Sequence, residues 1–168
     1  MYYADTGKSN SLNNLQYLFS MNENNFSNSF PVRFFATLEK LIPKFSANPQ
    51  DAFADGNVAV CVLDESGNVY GKIWGTDKVK GRQFYKNAWI KASQVWITGM
   101  KTGEYEQKLY NGEFGEEKYG ISMPDLIGWE GGQPIVLADG TTLSIGFSGF
   151  RGFNDLEIVK MAFAIMDK

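Results

Sequence analysis

The chain has 168 residues, a net charge of −3, 43% apolar residues and 21% charged ones, the profile of one ordinary globular domain. It contains no histidine and a single cysteine, Cys61. This excludes serine and cysteine triads built on histidine, HExxH zinc sites, histidine-ligated haem, an internal disulfide framework and a cysteine-built zinc site. No stretch approaches the roughly 20 apolar residues of a membrane helix. The first thirty residues are too polar for a signal peptide, which needs an apolar core of about 7–15 residues. A cytoplasmic location is therefore expected, with neither membrane nor nucleic acid as a partner, since a negative chain offers phosphates no broad footing.

In chain order, residues 1–28 carry seven asparagines and four serines among scattered aromatics, a composition that favours a loose arm ahead of a single domain over 29–168. A helix is expected from about Pro31 to Ile42, because Phe30, Phe34, Leu38, Leu41 and Phe45 recur at spacings of three and four. Pro43 should end it. Val58–Asp64 is an almost unbroken apolar run, as a strand buried on both faces requires. Glu65-Ser66-Gly67-Asn68 then turns the chain into a second strand, Val69–Trp74. Asp64 is placed to brace that turn through its side chain.

Arg82–Ile97 has the clearest helical period, with Phe84, Ala88, Ala92 and Trp96 in one row and Tyr85, Trp89 and Val95 beside it. That wide face should be buried, and Gly99 supplies a stop. Thr102 should cap a short helix through Tyr110. The tract Tyr119–Gly128 is irregular. Two apolar runs, Pro134–Ala138 and Thr142–Ser148, flank Asp139-Gly140, a strong hairpin signal. Gly131, Gly132, Gly146 and Gly149 leave the strands bare where another backbone or a ligand could approach. Asn154 with Glu157 resembles a capping box for a final helix, Asp155–Met166. The class is α+β, an antiparallel sheet with helices packed against it in the order α-β-β-α-α-β-β-α.

Val60-Cys61-Val62-Leu63-Asp64-Glu65-Ser66-Gly67-Asn68-Val69 resembles the VVD-x-x-G-x-L strand-turn-strand of the GlcG/HbpS-like family. Lys91-Ala92 sits where that family has a KA-x-TA helix. Gly131-Gly132-Gln133-Pro134-Ile135 and Ile145-Gly146-Phe147-Ser148-Gly149 resemble its GGVPI…GAIGVSG signature, and Asp155-Leu156-Glu157 the acidic start of its last helix. The similarity spans roughly residues 58–166. It implies a profilin-like fold, frequent homo-oligomers, and haem or tetrapyrrole binding in some members. The chain departs from the family pattern in having no histidine, in Trp129-Glu130 before the glycines, and in its N-terminal arm. Without histidine, haem iron would need Met100, Met123, Cys61 or a tyrosine as its ligand.

Two alternative functions are expected, in this order, ahead of a structural oligomer with no ligand. The first is binding of a planar or apolar small molecule with an anionic group, between the glycine-rich hairpin and the start of the Arg82 helix. Gly131, Gly132 and Gly146 would open the space, Trp129 and Phe150 would line it, and Arg82 and Arg151 would hold a carboxylate through their forked donors. The second is a cofactor-independent isomerase, lyase or cyclase. Its proton handlers would be carboxylates or tyrosines, namely Glu130, Asp64 and Tyr119, with Asp155 and Tyr85 as further candidates. With four tryptophans and 21 other aromatics, more than one small core easily hides, the chain is also expected to associate with itself.

Overall fold

The computed structural model describes residues 30–166. Four strands, β1 (Val58–Asp64), β2 (Val69–Trp74), β3 (Gly132–Val136) and β4 (Thr142–Ser148), form one sheet in the order β2-β1-β4-β3 with every pairing antiparallel. Helices α1 (Phe30–Ser46) and α4 (Gly152–Met166) pack on one face, and α2 (Lys78–Thr98) on the other. A shorter helix, α3 (Thr102–Tyr110), follows α2. The class is α+β, as the alternation of hairpins and helices predicts. The N-terminal arm lies outside the described residues.

The central position of β1 explains its continuous apolar run. Val58, Val60 and Val62 enter the larger core with Leu143, Ile145 and Phe147 of β4, beneath α1 and α4. Ala59, Cys61 and Leu63 face the other way, onto Ala88 and Ala92 of α2. Each strand residue therefore meets a packed layer, and none can be polar without a partner. β4 is asymmetric: its α2-facing side reads Ser144, Gly146, Ser148. Small residues on both sides of this interface bring helix and sheet close together. A Cβ on Gly146 would lie 2.1 Å from the Ala88 carbonyl oxygen and 2.7 Å from the Ala92 nitrogen. A Cβ on Gly132 would meet Thr102, Lys91 and Val95. Glycines 132 and 146 thus admit a helix backbone, and they open no cavity.

Several local expectations are corrected. Helix α1 continues through Pro43 to Ser46. Phe45, in the turn beyond the proline, is buried and stacks on Phe150 at 5.9 Å, so tertiary packing holds a turn that local propensity would end. At the opposite end Phe30 and Phe34 lie 5.4 and 5.6 Å from Phe163, which makes α1 and α4 antiparallel. Helix α2 begins one turn before Arg82, because Asp77 caps it by accepting from the amides of Val79 and Lys80. Its buried face is also different: Gly81, Ala88, Lys91, Ala92, Gln94 and Val95 turn inward, while Trp89 and Trp96 remain 41% and 46% exposed. Gln94 clasps the tract before β3, accepting from the Ile127 amide and donating to the Ile127 carbonyl, both at 3.0 Å. Thr102 caps nothing. Its hydroxyl donates to the Trp129 carbonyl at 2.8 Å and accepts from the Gly132 amide at 3.3 Å. Gly99, at φ 70°, ends α2 as expected.

Candidate functional site

Beyond the last residue of β4, a cavity of about 270 Å³ opens between the sheet, the first half of α2 and the start of α4. Three α2 side chains reach it, Phe84, Asn87 and Lys91, at i, i+3 and i+7 on one helical face. Ser148, Gly149, Phe150, Arg151 and Gly152 line the turn from β4 into α4. Phe53 and Trp129 complete the walls, with Asp155 at the base.

Gly149 makes the sharp exit from β4 at φ 138°, where a side chain would collide with Val58 and the Asn57 carbonyl. Phe150 then turns inward and stacks on Phe147 at 5.8 Å. The next residues are fixed by two carboxylates. Asp155 reaches back to accept from the Phe150 amide at 2.9 Å. Asp51, from the 3-10 turn Pro49–Ala54, accepts from the Arg151 amide at 2.8 Å, the Arg151 guanidinium at 3.2 Å and the Asn154 side-chain amide at 2.5 Å. Asn154 thus serves Asp51, and the Asn154/Glu157 capping box does not form. Burial works against the Asp51 carboxylate, yet these donors hold its pKa below the ordinary value.

Beneath the cavity lies a buried ion pair. Lys91 Nζ meets Asp155 Oδ2 at 2.8 Å and donates to the Phe147 carbonyl at 2.9 Å, with both side chains 2–3% exposed. Desolvation dominates Asp155 and pushes its pKa from 3.8 up to about 7, opposed by Lys91 and the Phe150 amide. The pair joins α2, β4 and α4 at one point, so removing either partner would strand a buried charge.

The expected binding residues fare unevenly. Trp129 and Phe150 line the cavity, Trp129 as a rim residue 70% exposed and Phe150 as buried wall. Arg151 also lines it, but its guanidinium is engaged by Asp51 and by the Gln50 side-chain oxygen. Arg82 is exposed in the second turn of α2 and does not line the cavity. Gly131 is buried over the ion pair, where a Cβ would lie 2.5 Å from Lys91 Nζ. With Gly132 and Gly146 it belongs to packing.

The acid–base candidates are dispersed. Asp64 accepts from the Asn68 amide at 2.9 Å and its side-chain amide at 2.8 Å, bracing the β1–β2 turn as its sequence context predicts. Tyr119 packs edge-on against Tyr105 and Phe114. Glu130 is exposed beside Gly152 and Gly103. Tyr85 covers Gly71, and burial pushes the Cys61 thiol up to about 11. None of these four lines the cavity; Asp155 alone among the carboxylates and tyrosines considered does. Lys91, Ser148 and Asn87 were missed as site residues. A lysine in an otherwise apolar helical row, level with Ala88 and Ala92, is the signal that could have found the first.

The described residues lining this cavity do not fit a haem. No methionine, cysteine or tyrosine is among the cavity lining, and Lys91 is held by Asp155 and Phe147. Met123 is exposed on the surface and Cys61 is buried under α2. Among the described residues no group of acidic or cysteine side chains is arranged to hold a metal ion.

No family model and no curated protein matches the sequence. Solved structures do match. HbpS is similar over 76% of this chain and 87% of its own, at 22% identity and a TM-score of 0.51. Klebsiella pneumoniae protein ORFY is similar over 77% and 82%, at 19% identity and a TM-score of 0.57. A complex of PduOC with heme is similar over 81% and 92%, at 20% identity and a TM-score of 0.52. At these identities the likeness concerns the backbone, and the chain has the GlcG/HbpS-like fold.

Proposed function

We propose that this chain is a small-molecule-binding protein whose ligand, planar or apolar with an anionic group, seats in the cavity at the junction of α2, β4 and α4. The observation that carries this reading is the lining: aromatic walls from Phe53, Phe84, Trp129 and Phe150 around a few buried polar groups. That combination is typical of ligand sites, where apolar area supplies affinity and sparse polar groups fix orientation. The heme in the PduOC complex is consistent with ligand binding on this fold, but the present cavity lacks an axial ligand and, at about 270 Å³, lies just below the usual range of about 300–1,000 Å³. A smaller ligand is favoured over a tetrapyrrole.

The test is a thermal-shift screen of small aromatic and carboxylate compounds, with hits titrated calorimetrically into wild type and Asn87→Trp. Asn87 is half-buried in the wall, and a larger side chain there should fill the cavity while leaving the fold intact. Loss of binding in the variant is expected; hits that bind both proteins equally would place the ligand elsewhere. Haem added to the purified protein should give no Soret band of a coordinated iron.

We further propose self-association through the outward face of α2, where Trp89, Trp96 and Ile97 are each more than 40% exposed. Light scattering at micromolar concentration should give a mass above the 18.8 kDa of one chain, and Trp96→Glu should lower it. A wild-type mass of one chain would reject this.

A further inference from the structure

Around the cavity, hydrogen-bond donors outnumber free acceptors. Ser148, at the end of β4, is 5% exposed and lines the cavity, and its hydroxyl has no hydrogen-bond partner among the described residues. Gly152 opens α4, a helix of 15 residues. The Arg151 amide is taken by Asp51, and the Asn154 and Asp155 amides by the Arg151 carbonyl, leaving the Gly152 N–H among the free donors of the first turn. Lys91 uses two of its three N–H groups, on Asp155 and the Phe147 carbonyl. Asn87 accepts from Gln83 through its oxygen at 3.4 Å, so its amide nitrogen is a further donor.

The acceptors, by contrast, are occupied. Both Asp155 oxygens are engaged, by the Phe150 amide and by Lys91. Both Asp51 oxygens are engaged by Arg151 and Asn154. A pocket with surplus donors, at the positive end of a helix, recognises an acceptor-rich anion. Its size and walls limit what carries that anion. About 270 Å³ between Phe53, Phe84, Trp129 and Phe150 accommodates one ring and a short substituent. The charges keep the anion small: among the lining residues Lys91 is balanced by Asp155 and Arg151 by Asp51, so a single carboxylate would be held by hydrogen-bond donors and the helix end, with no net positive charge in the wall to offset a second negative group.

We propose that the cavity binds a single-ring aromatic monocarboxylate, its ring between the aromatic walls and its carboxylate on the Ser148 hydroxyl, the Gly152 amide and the remaining Lys91 proton. This deepens the small-molecule reading and rests on it. The probes are benzoate, its neutral isostere benzamide and the dianion phthalate, each titrated calorimetrically into the full chain. Benzoate should bind at least about tenfold tighter than either of the others, as a charge-assisted hydrogen bond implies. Ser148→Ala should cost benzoate about tenfold and leave benzamide unchanged. Benzamide binding as well as benzoate would overturn the carboxylate assignment while leaving an aromatic-binding cavity in place, and so would a Ser148→Ala protein with unaltered benzoate affinity. Phthalate binding best would overturn the monoanion. Failure of every probe on wild type, with other compounds stopped by Asn87→Trp, would reject the ligand class alone; no cavity-dependent binding of any compound would reject the site itself.

Discussion

At the residue scale the decisive feature is the Lys91–Asp155 pair, a charged contact in the middle of apolar packing. Its effect on stability has a sign that can be worked out. The folded-state pKa of Asp155 lies above its ordinary value of 3.8, at about 7, so between these values the folded protein binds more protons than the unfolded one. Stability from this group is complete below pH 3.8 and is lost as the pH rises towards 7. Asp51 acts in the opposite sense, because its pKa is lowered on folding and its contribution disappears as the solution is acidified below the usual carboxylate range. Urea denaturation from pH 4 to pH 8 should therefore show a fall in wild type that is absent in Asp155→Asn. Parallel profiles for the two proteins would contradict the assignment. Glycines at two positions should also differ sharply. Gly146→Val forces atoms into the α2 backbone and should abolish cooperative folding. Gly67→Ala, at φ 82° with only an ordinary contact to the Trp96 ring at 3.7 Å, should cost only about 1 kcal/mol through turn strain.

At the scale of single elements, α1 is the case where tertiary contacts overrule local preference. Pro43 is exposed inside the helix and leaves the helical bond to Glu39 unmade, so little burial offsets the loss. An interior proline disfavours a helix by about 3 kcal/mol, while its stiffening of the unfolded chain returns up to about 1 kcal/mol. Pro43→Ala should therefore stabilise the protein by about 1–2 kcal/mol and raise Tm in a thermal melt. Phe45→Ala should do the reverse, losing about 3 kcal/mol or more with the buried ring that stacks on Phe150. A Pro43→Ala protein that melts lower than wild type would show that the bend is needed. In α4 the stabilising contacts at the first turn come from outside the helix, through Asp51, and Asp51→Ala should loosen the cavity wall as well as the fold.

For the whole molecule, the sheet carries described helices on both faces, α1 and α4 on one side and α2 on the other. A chain lacking residues 1–27 is therefore expected to unfold cooperatively. A broad, non-cooperative melt of that truncation would make the arm part of the core. The cavity forms only where three layers meet at the sheet end: α2 supplies Phe84, Asn87 and Lys91, the β4 exit supplies Ser148 to Gly152, and the α4 start supplies Asp155. No single element contains it. Shifting α2 along its axis would change the cavity while preserving every hairpin.

Much of the architecture was legible in the chain itself. The apolar run Val58–Leu63, the turn signals around Gly67 and Gly140, and the helical periods reflect short-range sterics and burial, which one segment encodes largely by itself. Asp64 was legible as a turn brace for the same reason, since its partner Asn68 is four residues away. What the tertiary structure alone decided are the contacts between distant segments. Lys91 and Asp155 are 64 residues apart, and Arg151 and Asp51 are 100; no local pattern says that the second arginine would be neutralised in this way. The glycines show the same division. Their spacing announced a close approach to β4, but whether a ligand or a helix filled the space depended on where α2 lay. Small residues at Ala88, Ala92 and Gly146 let backbone meet backbone there, and the cavity was left at the sheet end, where Gly149 turns the chain away.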